Sequence, residues 1–154
     1  MIISLEHPVA EAEVDEFDVV HFSNYVRWYG AALKEFLARY SEPPGFFGSG
    51  VEVRVARVRA SYSSSARRDD IVSVSISRVE NLGRSLRLYF RAEANGELLA
   101  RAELNLVFVR TEPYGLVRVP EQLAARLAAE QTEQTEQTAR EQRVPAEAGA
   151  GSAA

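Results

Sequence analysis

Residues 13–28 combine carboxylates, a histidine and a predicted helix start in an order that could support acyl chemistry. Glu13, Asp15 and Asp18 precede His21, and a strongly apolar helical pattern begins directly after it. The first N–H groups of a helix lack intrahelical partners and carry partial positive charge, so they can stabilise a developing oxyanion. A carboxylate or histidine beside them could act as base or nucleophile. The pattern therefore predicts acyl transfer or hydrolysis, with Glu13 or His21 as the base.

The same residues also have structural explanations that involve no chemistry. Asp15 and Asp18 suit a turn, because aspartate readily hydrogen-bonds its own local backbone. Glu13 could be a solvated carboxylate at a strand, and His21 could be a packed or surface histidine. The sequence alone leaves both interpretations open for each residue.

Composition restricts the class of protein. The 154 residues include no cysteine, which excludes disulfides, thiolate catalysis and cysteine-ligated metals. The two histidines, His7 and His21, lack metal-ligand spacing, so we expect neither a metal nor a cofactor. The net charge is −4 and the seventeen arginines are spread along the chain, so we expect no binding to nucleic acid. No apolar run approaches the ~20 residues of a membrane span, and we expect a cytoplasmic protein without membrane contact.

One long helix and several strands are predicted from the apolar periodicity. Apolar side chains recur at steps of three and four over residues 22–40, which predicts a helix with Ser23 or Asn24 as its N-cap. Residues 2–12 predict a first strand. From residue 51 to 109 apolar and polar residues alternate, with one slip near Ala56 and a two-residue hairpin turn at Asn95-Gly96. The ranges predicted as strands after the helix are 51–58, 71–79, 86–91 and 98–109.

These elements predict an α+β domain in which one long helix is wrapped by a curled antiparallel sheet of about five strands. The domain should occupy residues 1–130, and residues 120–129 could add a short helix. The Gln-Thr-Glu repeat that begins at residue 131 has a period of three, which matches the burial pattern of neither helix nor strand. Residues 131–154 are therefore predicted to be a disordered tail, with a transient helix over 121–142 as the alternative.

The order of these features resembles a known family. The acidic turn, the aromatic helix and the arginine-studded strands are similar to the 4-hydroxybenzoyl-CoA thioesterase-like family, which has the hotdog fold. The resemblance covers about residues 2–129. Residues 24–37 look closest to the branch that releases polyketide chains from acyl carrier proteins, as in enediyne pathways. The family signature Asp-x-Asp-x-x-Gly-x-Val-x-x-x-x-Tyr, laid on the chain without gaps, falls on Glu13, Asp15, Asp18, Val20 and Tyr25.

The resemblance implies hydrolysis of acyl thioesters carried by CoA or by an acyl carrier protein, with a polyketide or fatty acyl chain. Glu13 stands at the position of the family's catalytic aspartate, and Asp18 replaces its glycine. Asp18 and His21 join Glu13 as candidate catalytic residues. Relatives often supply a hydroxyl to the neighbouring subunit's site from the loop that holds Ser64. The candidate substrate-binding residues are Phe22, Ser23, Asn24, Tyr25, Trp28 and Ser64.

Two other functions fit the same resemblance. A polyketide cyclase or dehydratase would use His21 with an acid to move protons and leave the thioester intact. A non-catalytic module would bind a polyketide or a lipid. In every case a single helix covers a long sheet incompletely, so we expect a homodimer or a homotetramer.

Overall fold

The computed structural model describes residues 2–48 and 50–143. Two α-helices and six strands lie in this part of the chain, with a single 3-10 turn at Glu11–Glu13. The helices are α1 (Ser23–Ala38) and α2 (Glu121–Arg143). The strands are β1 (Ile3–Pro8), β2 (Val51–Tyr62), β3 (Ile71–Asn81), β4 (Ser85–Ala94), β5 (Glu97–Thr111) and β6 (Tyr114–Val117).

The six strands form one antiparallel sheet in the order β1-β3-β4-β5-β2, and β6 pairs with β5. The inner face of this sheet is apolar because every second residue of β4 and β5 is a buried leucine, alanine or phenylalanine. Helix α1 packs on β1 and β3, and the Tyr29 ring lies 5.2 Å from the Phe90 ring. The predicted α+β architecture of one helix and a curled antiparallel sheet is confirmed, with six strands instead of about five.

The apolar stripe that predicted α1 is buried in the core. Tyr25, Trp28, Ala32 and Phe36 are between 0% and 5% exposed, and burying a large apolar side chain contributes roughly 1.5–3 kcal/mol. Leu33 and Leu37 widen the buried stripe. The remaining face of α1 carries Arg27, Lys34 and Glu35, which are exposed. The stripe therefore fixes which side of the helix meets the sheet.

Two local predictions about the strands are confirmed. The pairing of β2 with β5 shifts register between Val55 and Arg57, so the slip near Ala56 is a β-bulge. Asn95 and Gly96 have φ angles of 53° and 75°. A type I′ hairpin turn requires positive φ at both central residues, which asparagine and glycine tolerate.

The first strand and the helix cap differ from the sequence prediction. β1 ends at Pro8, four residues before the predicted end at residue 12, because the chain turns into the 3-10 turn. Ser23 and Asn24 were predicted to cap α1, but both are helical and Phe22 holds the N-cap position without a side-chain cap bond. The Ser23 N–H instead donates to Nδ1 of His21 at 3.3 Å.

The second unit of the chain begins at Glu121 and differs from the predicted tail. Residues 131–143 continue helix α2 instead of being disordered, which matches the helical alternative. Glutamine, glutamate, alanine and arginine are good helix formers, and no glycine or proline interrupts residues 121–143. Three threonine hydroxyls also donate to carbonyls four residues earlier, at 2.9–3.0 Å. Residues 144–154 of the predicted tail lie outside the described residues.

None of the helices within residues 2–48 and 50–143 has the length and apolar character needed to cross a membrane.

Gly30 provides a test of the fold, because it lies exposed inside α1 and a Cβ there would meet nothing within 4 Å. We expect Gly30→Ala to raise the unfolding free energy by about 0.5–1 kcal/mol, since glycine loses more backbone entropy than alanine on folding. Gly96→Ala is the matched control. Its φ of 75° makes the same substitution cost roughly 1–2 kcal/mol. Thermal and urea unfolding measure both variants. Changes in unfolding free energy of the same sign for the two variants would contradict the fold.

Candidate functional site

The carboxylate of Glu13 is held by three donors from three parts of the chain. Oε1 lies 2.6 Å from Nε2 of His7 and accepts the Ala10 N–H at 2.8 Å. Oε2 accepts the indole N–H of Trp28 at 2.7 Å. The Glu13 side chain is 13% exposed and that of His7 is 35% exposed. The carboxylate is therefore fixed between β1, the 3-10 turn and α1, and is not a solvated strand residue.

These contacts control the ionisation of Glu13. Partial burial raises the pKa of Glu13, but the hydrogen bonds from the Ala10 N–H, His7 and Trp28 outweigh it, and the pKa lies below its ordinary value. The carboxylate is thus charged at neutral pH. A charged Glu13 favours a proton on Nε2 of His7, which leaves Nδ1 of a neutral His7 as an acceptor. Carboxylate and imidazole therefore form one hydrogen-bonded pair.

His7 is the site residue that the sequence reasoning missed. Six residues separate it from Glu13, and no recognised ligand or catalytic spacing connects them. The 3-10 turn brings them together, because Glu13 occupies its third position and folds back onto Ala10 in the manner of a capping box. The His7 ring also lies 4.9 Å from the Trp28 ring. Two features of the sequence could have indicated this turn: Pro8 directly after His7, and Glu13 five residues after Pro8.

His21 lies at the start of α1, as predicted, and organises the first turn. Its Nδ1 accepts the Ser23 N–H at 3.3 Å and lies 2.8 Å from the Ser23 hydroxyl. A neutral His21 whose Nδ1 accepts carries its proton on Nε2. The exposed edge of this ring is then a donor, which suits binding an oxygen better than removing a proton.

Asn24 connects the acidic turn to the helix. It is 7% exposed, and its Nδ2 donates to the carbonyls of His21 at 3.1 Å and Glu13 at 3.3 Å. The His21 N–H also donates to the Glu13 carbonyl at 3.0 Å. Asn24 thus fixes the backbone of Glu13 against α1, a positioning task.

The predicted oxyanion donors at residues 22–25 are mostly engaged within the chain. The N–H groups of Asn24 and Tyr25 donate to the carbonyls of His21 and Phe22 at 3.0 and 3.3 Å. Within residues 2–48 and 50–143, the Phe22 N–H is the one member of this set for which no acceptor is found. Phe22 itself is 62% exposed. The helix start therefore offers one accessible backbone donor beside an exposed aromatic ring.

Asp15 and Asp18 act as turn residues. Oδ1 of Asp15 accepts the Phe17 N–H at 2.8 Å, which is an Asx turn. Asp18 has a φ of 63°, so it occupies the left-handed backbone conformation that favours glycine and that aspartate tolerates. Its carboxylate accepts Nε and Nη2 of Arg68 at 3.2 and 3.1 Å. Asp18 therefore occupies a backbone conformation that glycine also adopts readily, and its carboxylate is held in an ion pair with Arg68.

Tyr25 and Ser64 belong to a second contact with the helix start. The Tyr25 hydroxyl accepts the Ala66 N–H at 2.8 Å, and the Ser64 N–H donates to the Leu99 carbonyl at 3.1 Å. Tyr62, which the sequence analysis did not single out, packs its ring 5.3 Å from Tyr25. The loop that carries Ser64 is therefore anchored to α1. Trp28 joins the Glu13 cluster through its indole N–H, and no three His, Asp or Glu side chains of the described residues form a metal-binding group.

The structure resembles solved thioesterases. A 1,4-dihydroxy-2-naphthoyl-CoA thioesterase from Synechocystis matches with a TM-score of 0.72 and 15% identity, over 81% of this chain and 94% of that chain. A 4-hydroxybenzoyl-CoA thioesterase variant in complex with 4-hydroxybenzoyl-CoA matches with 0.65 and 20%, over 77% and 93%. A hypothetical protein from Thermus thermophilus matches with 0.68 and 26%, over 82% and 97%. The chain matches no family model and no curated protein sequence. The predicted hotdog fold is confirmed.

The depressed pKa of Glu13 predicts how stability depends on pH. A carboxylate whose folded pKa lies below the ordinary 4.5 stabilises the fold above that pH and loses the contribution as pH falls through the folded value. We expect Glu13→Gln to reduce the unfolding free energy at pH 7, and the difference from wild type to shrink steadily below pH 4.5. Urea unfolding at pH 7, 5, 4 and 3 measures it. Glu16→Gln, at an exposed residue three positions after Glu13, is the control, and a wild-type difference that stays constant with pH would contradict the assignment.

Proposed function

We propose that the protein hydrolyses acyl thioesters and that Glu13 and His7 act together as the base. The observation that carries this proposal is the charged Glu13 carboxylate bonded to His7 beside the start of α1, in a fold that this chain shares with CoA thioesterases. Nε2 of His7 lies 2.6 Å from Oε1 of Glu13, so the charged carboxylate orients the imidazole and the two residues are proposed to act as one unit.

The proposed reaction uses few groups. The Glu13–His7 pair removes a proton from water, and the hydroxide oxygen attacks the thioester carbonyl. The Phe22 N–H and Nε2 of His21 are the donors proposed for the oxyanion. The tetrahedral intermediate then collapses, the carbon–sulfur bond breaks, and the thiolate takes up the proton held by the pair. The products are a free acid and a thiol.

The proposed substrates are acyl chains on CoA or on an acyl carrier protein. The CoA substrates named for the solved thioesterases support the first carrier. The likeness of residues 24–37 to the polyketide-releasing branch supports the second carrier and a polyketide chain. Exposed Phe22 and Tyr62, whose rings lie 6.3 Å apart, give the helix start an apolar surface that suits an acyl chain.

Kinetics on acyl-CoA and acyl-carrier substrates, read from the released thiol, test the catalytic pair. We expect Glu13→Gln to lower kcat by roughly 10²-fold or more, because it removes the charge and keeps the shape. His7→Gln should lower kcat to a similar level, and the double variant should be no slower than the slower single variant, as for groups that act as a unit. His21→Gln keeps a side-chain N–H that can replace the proposed oxyanion donor, so it should lower kcat by less than Glu13→Gln does.

Other outcomes separate the rival functions. If both Glu13→Gln and His7→Gln are silent while hydrolysis continues, the proposed base is wrong. If His21→Gln abolishes turnover and Glu13→Gln does not, a cyclase or dehydratase reaction that leaves the thioester intact is favoured. If the wild type binds acyl thioesters and releases no thiol, the chain is a binding module. Circular dichroism of each variant confirms that the fold is retained.

We also propose that two copies pair through β2. This strand is a sheet edge and exposes Val55, Val58 and Tyr62 by 43–48%. Phe22 and Val26 at the start of α1 are exposed as well. An edge strand with unpaired backbone groups and apolar side chains is a ready surface for pairing with another chain. Such pairing would place the second copy next to the helix start, in the dimer or the tetramer that the sequence predicts.

The oligomer is tested by light scattering after size exclusion. We expect the wild type to have at least twice the chain mass and Val58→Lys to shift the protein towards the monomer, because a buried lysine at an interface must be desolvated. Leu116→Lys, which replaces another exposed apolar residue (62% exposed) on β6, should leave the mass unchanged. A monomeric wild type, or a Val58→Lys protein of unchanged mass, would show that β2 is not the interface.

A further inference from the structure

The outer face of the sheet, opposite the face that covers α1, collects arginines. Alternation along the strands places seven of them on this face of β2–β5, where the carboxylates are Glu52, Glu80, Glu93 and Glu103. The formal net charge of the whole chain is −4, so the positive charge of this face is a local feature. The seven arginines are Arg54, Arg57, Arg59, Arg78, Arg87, Arg91 and Arg101.

Strand pairing brings two of these arginines directly opposite each other. Arg91 of β4 and Arg101 of β5 are register partners. Like charges placed opposite each other on neighbouring strands are destabilising. Arg91 pairs with Glu93 at 2.7 Å, whereas Arg101 has no ion pair with any residue that the structure describes. An anion between the two guanidinium groups would relieve their repulsion.

The arginines line a groove of suitable size. A depression of about 620 Å³ is lined by Arg59, Arg91 and Arg101 together with the hydroxyl residues Ser61 and Ser77, and ligand sites span ~300–1,000 Å³. A smaller depression of about 80 Å³ adjoins it and shares Arg59 and Glu103. Its lining includes Arg87, whose Nε is buried and has no hydrogen-bond partner among the described residues. Guanidinium groups present paired N–H donors that match phosphate geometry.

A flat surface for a planar group lies in the same groove. The Arg78 guanidinium carbon lies 4.0 Å from the centroid of the Tyr89 ring, and both residues line the larger depression. A guanidinium stacked on an aromatic ring can accept a further planar ring above it. The groove therefore combines an opposed arginine pair for phosphates with a stacking surface for a base.

We propose that this groove binds a free nucleoside diphosphate or triphosphate, with its phosphates between Arg91 and Arg101 and its base against Arg78. The bound anion neutralises the opposed pair. The sheet separates this groove from Glu13 and His7, which lie on the side of α1. The site is therefore distinct from the proposed hydrolytic site and does not depend on that proposal.

Isothermal titration at low salt with ADP, pyrophosphate and adenosine tests the site without any turnover. We expect the wild type to bind ADP, pyrophosphate to compete with it, and adenosine to bind at least about tenfold more weakly, because the phosphates supply the charge-assisted bonds. Arg91→Gln/Arg101→Gln should weaken ADP binding by about tenfold or more. Arg140→Gln/Arg143→Gln, which removes the same charge from exposed residues of α2, should leave it unchanged.

Several results would overturn the proposal. They are a wild type that does not bind ADP, equal ADP affinity in the wild type and the groove variant, and adenosine that binds as tightly as ADP. Binding of a short oligonucleotide without ADP would assign the face to nucleic acid. A rise in KM for acyl-CoA in the groove variant, without ADP binding by the wild type, would assign it to the substrate. If the double variant fails to fold, Arg101→Gln alone serves as the test. It must weaken ADP binding by at least about threefold, a smaller effect because Arg91 still contacts the phosphates.

Discussion

Burial of the aromatic stripe of α1 is the interaction on which the rest of the first unit depends. Tyr25, Tyr29 and Phe36 are at most 2% exposed, so the sheet must curl far enough to cover one whole side of the helix. The helix start is then fixed to the 3-10 turn through Trp28 and to the loop after β2 through Tyr25. Two side chains that belong to the core also make polar contacts at the candidate site. Site and core are therefore built from the same residues.

The fold could be predicted from the sequence because each main element is buried on one side only. The helix stripe has a strict period of three and four, and the strands alternate with a period of two. Each pattern reports burial on one side, and burial on one side is what the structure shows for α1, β4 and β5. The tail could not be judged in this way, because an exposed helix leaves no burial pattern. Residues 131–143 are helical because glutamine, glutamate, alanine and arginine have high helix propensity, which periodicity does not detect.

The candidate site was harder to predict from the sequence, because contacts between distant residues leave no periodic pattern. Glu13 and Asn24 were recognised because they lie beside a helix start, but the position of the Glu13 carboxylate depends on the 3-10 turn and on His7 of β1. The arginines were also misjudged from the sequence. In sequence they are dispersed, which argued against a basic patch, yet alternation places seven of them on one face of the sheet. Residues that are far apart in the sequence can therefore lie close together on one face of a sheet.

The length of the Glu13 side chain is explained by its neighbours. The backbone carbonyl of Glu13 is held by the His21 N–H and by Asn24, so the residue cannot move towards β1 as a whole. Its extra methylene lets the carboxylate reach His7 and Trp28 while the backbone stays in place. An aspartate would keep the backbone contacts and bring its carboxylate about one carbon–carbon bond short of those donors. Glu13, His7 and Trp28 therefore form a unit in which each residue explains the presence of the other two.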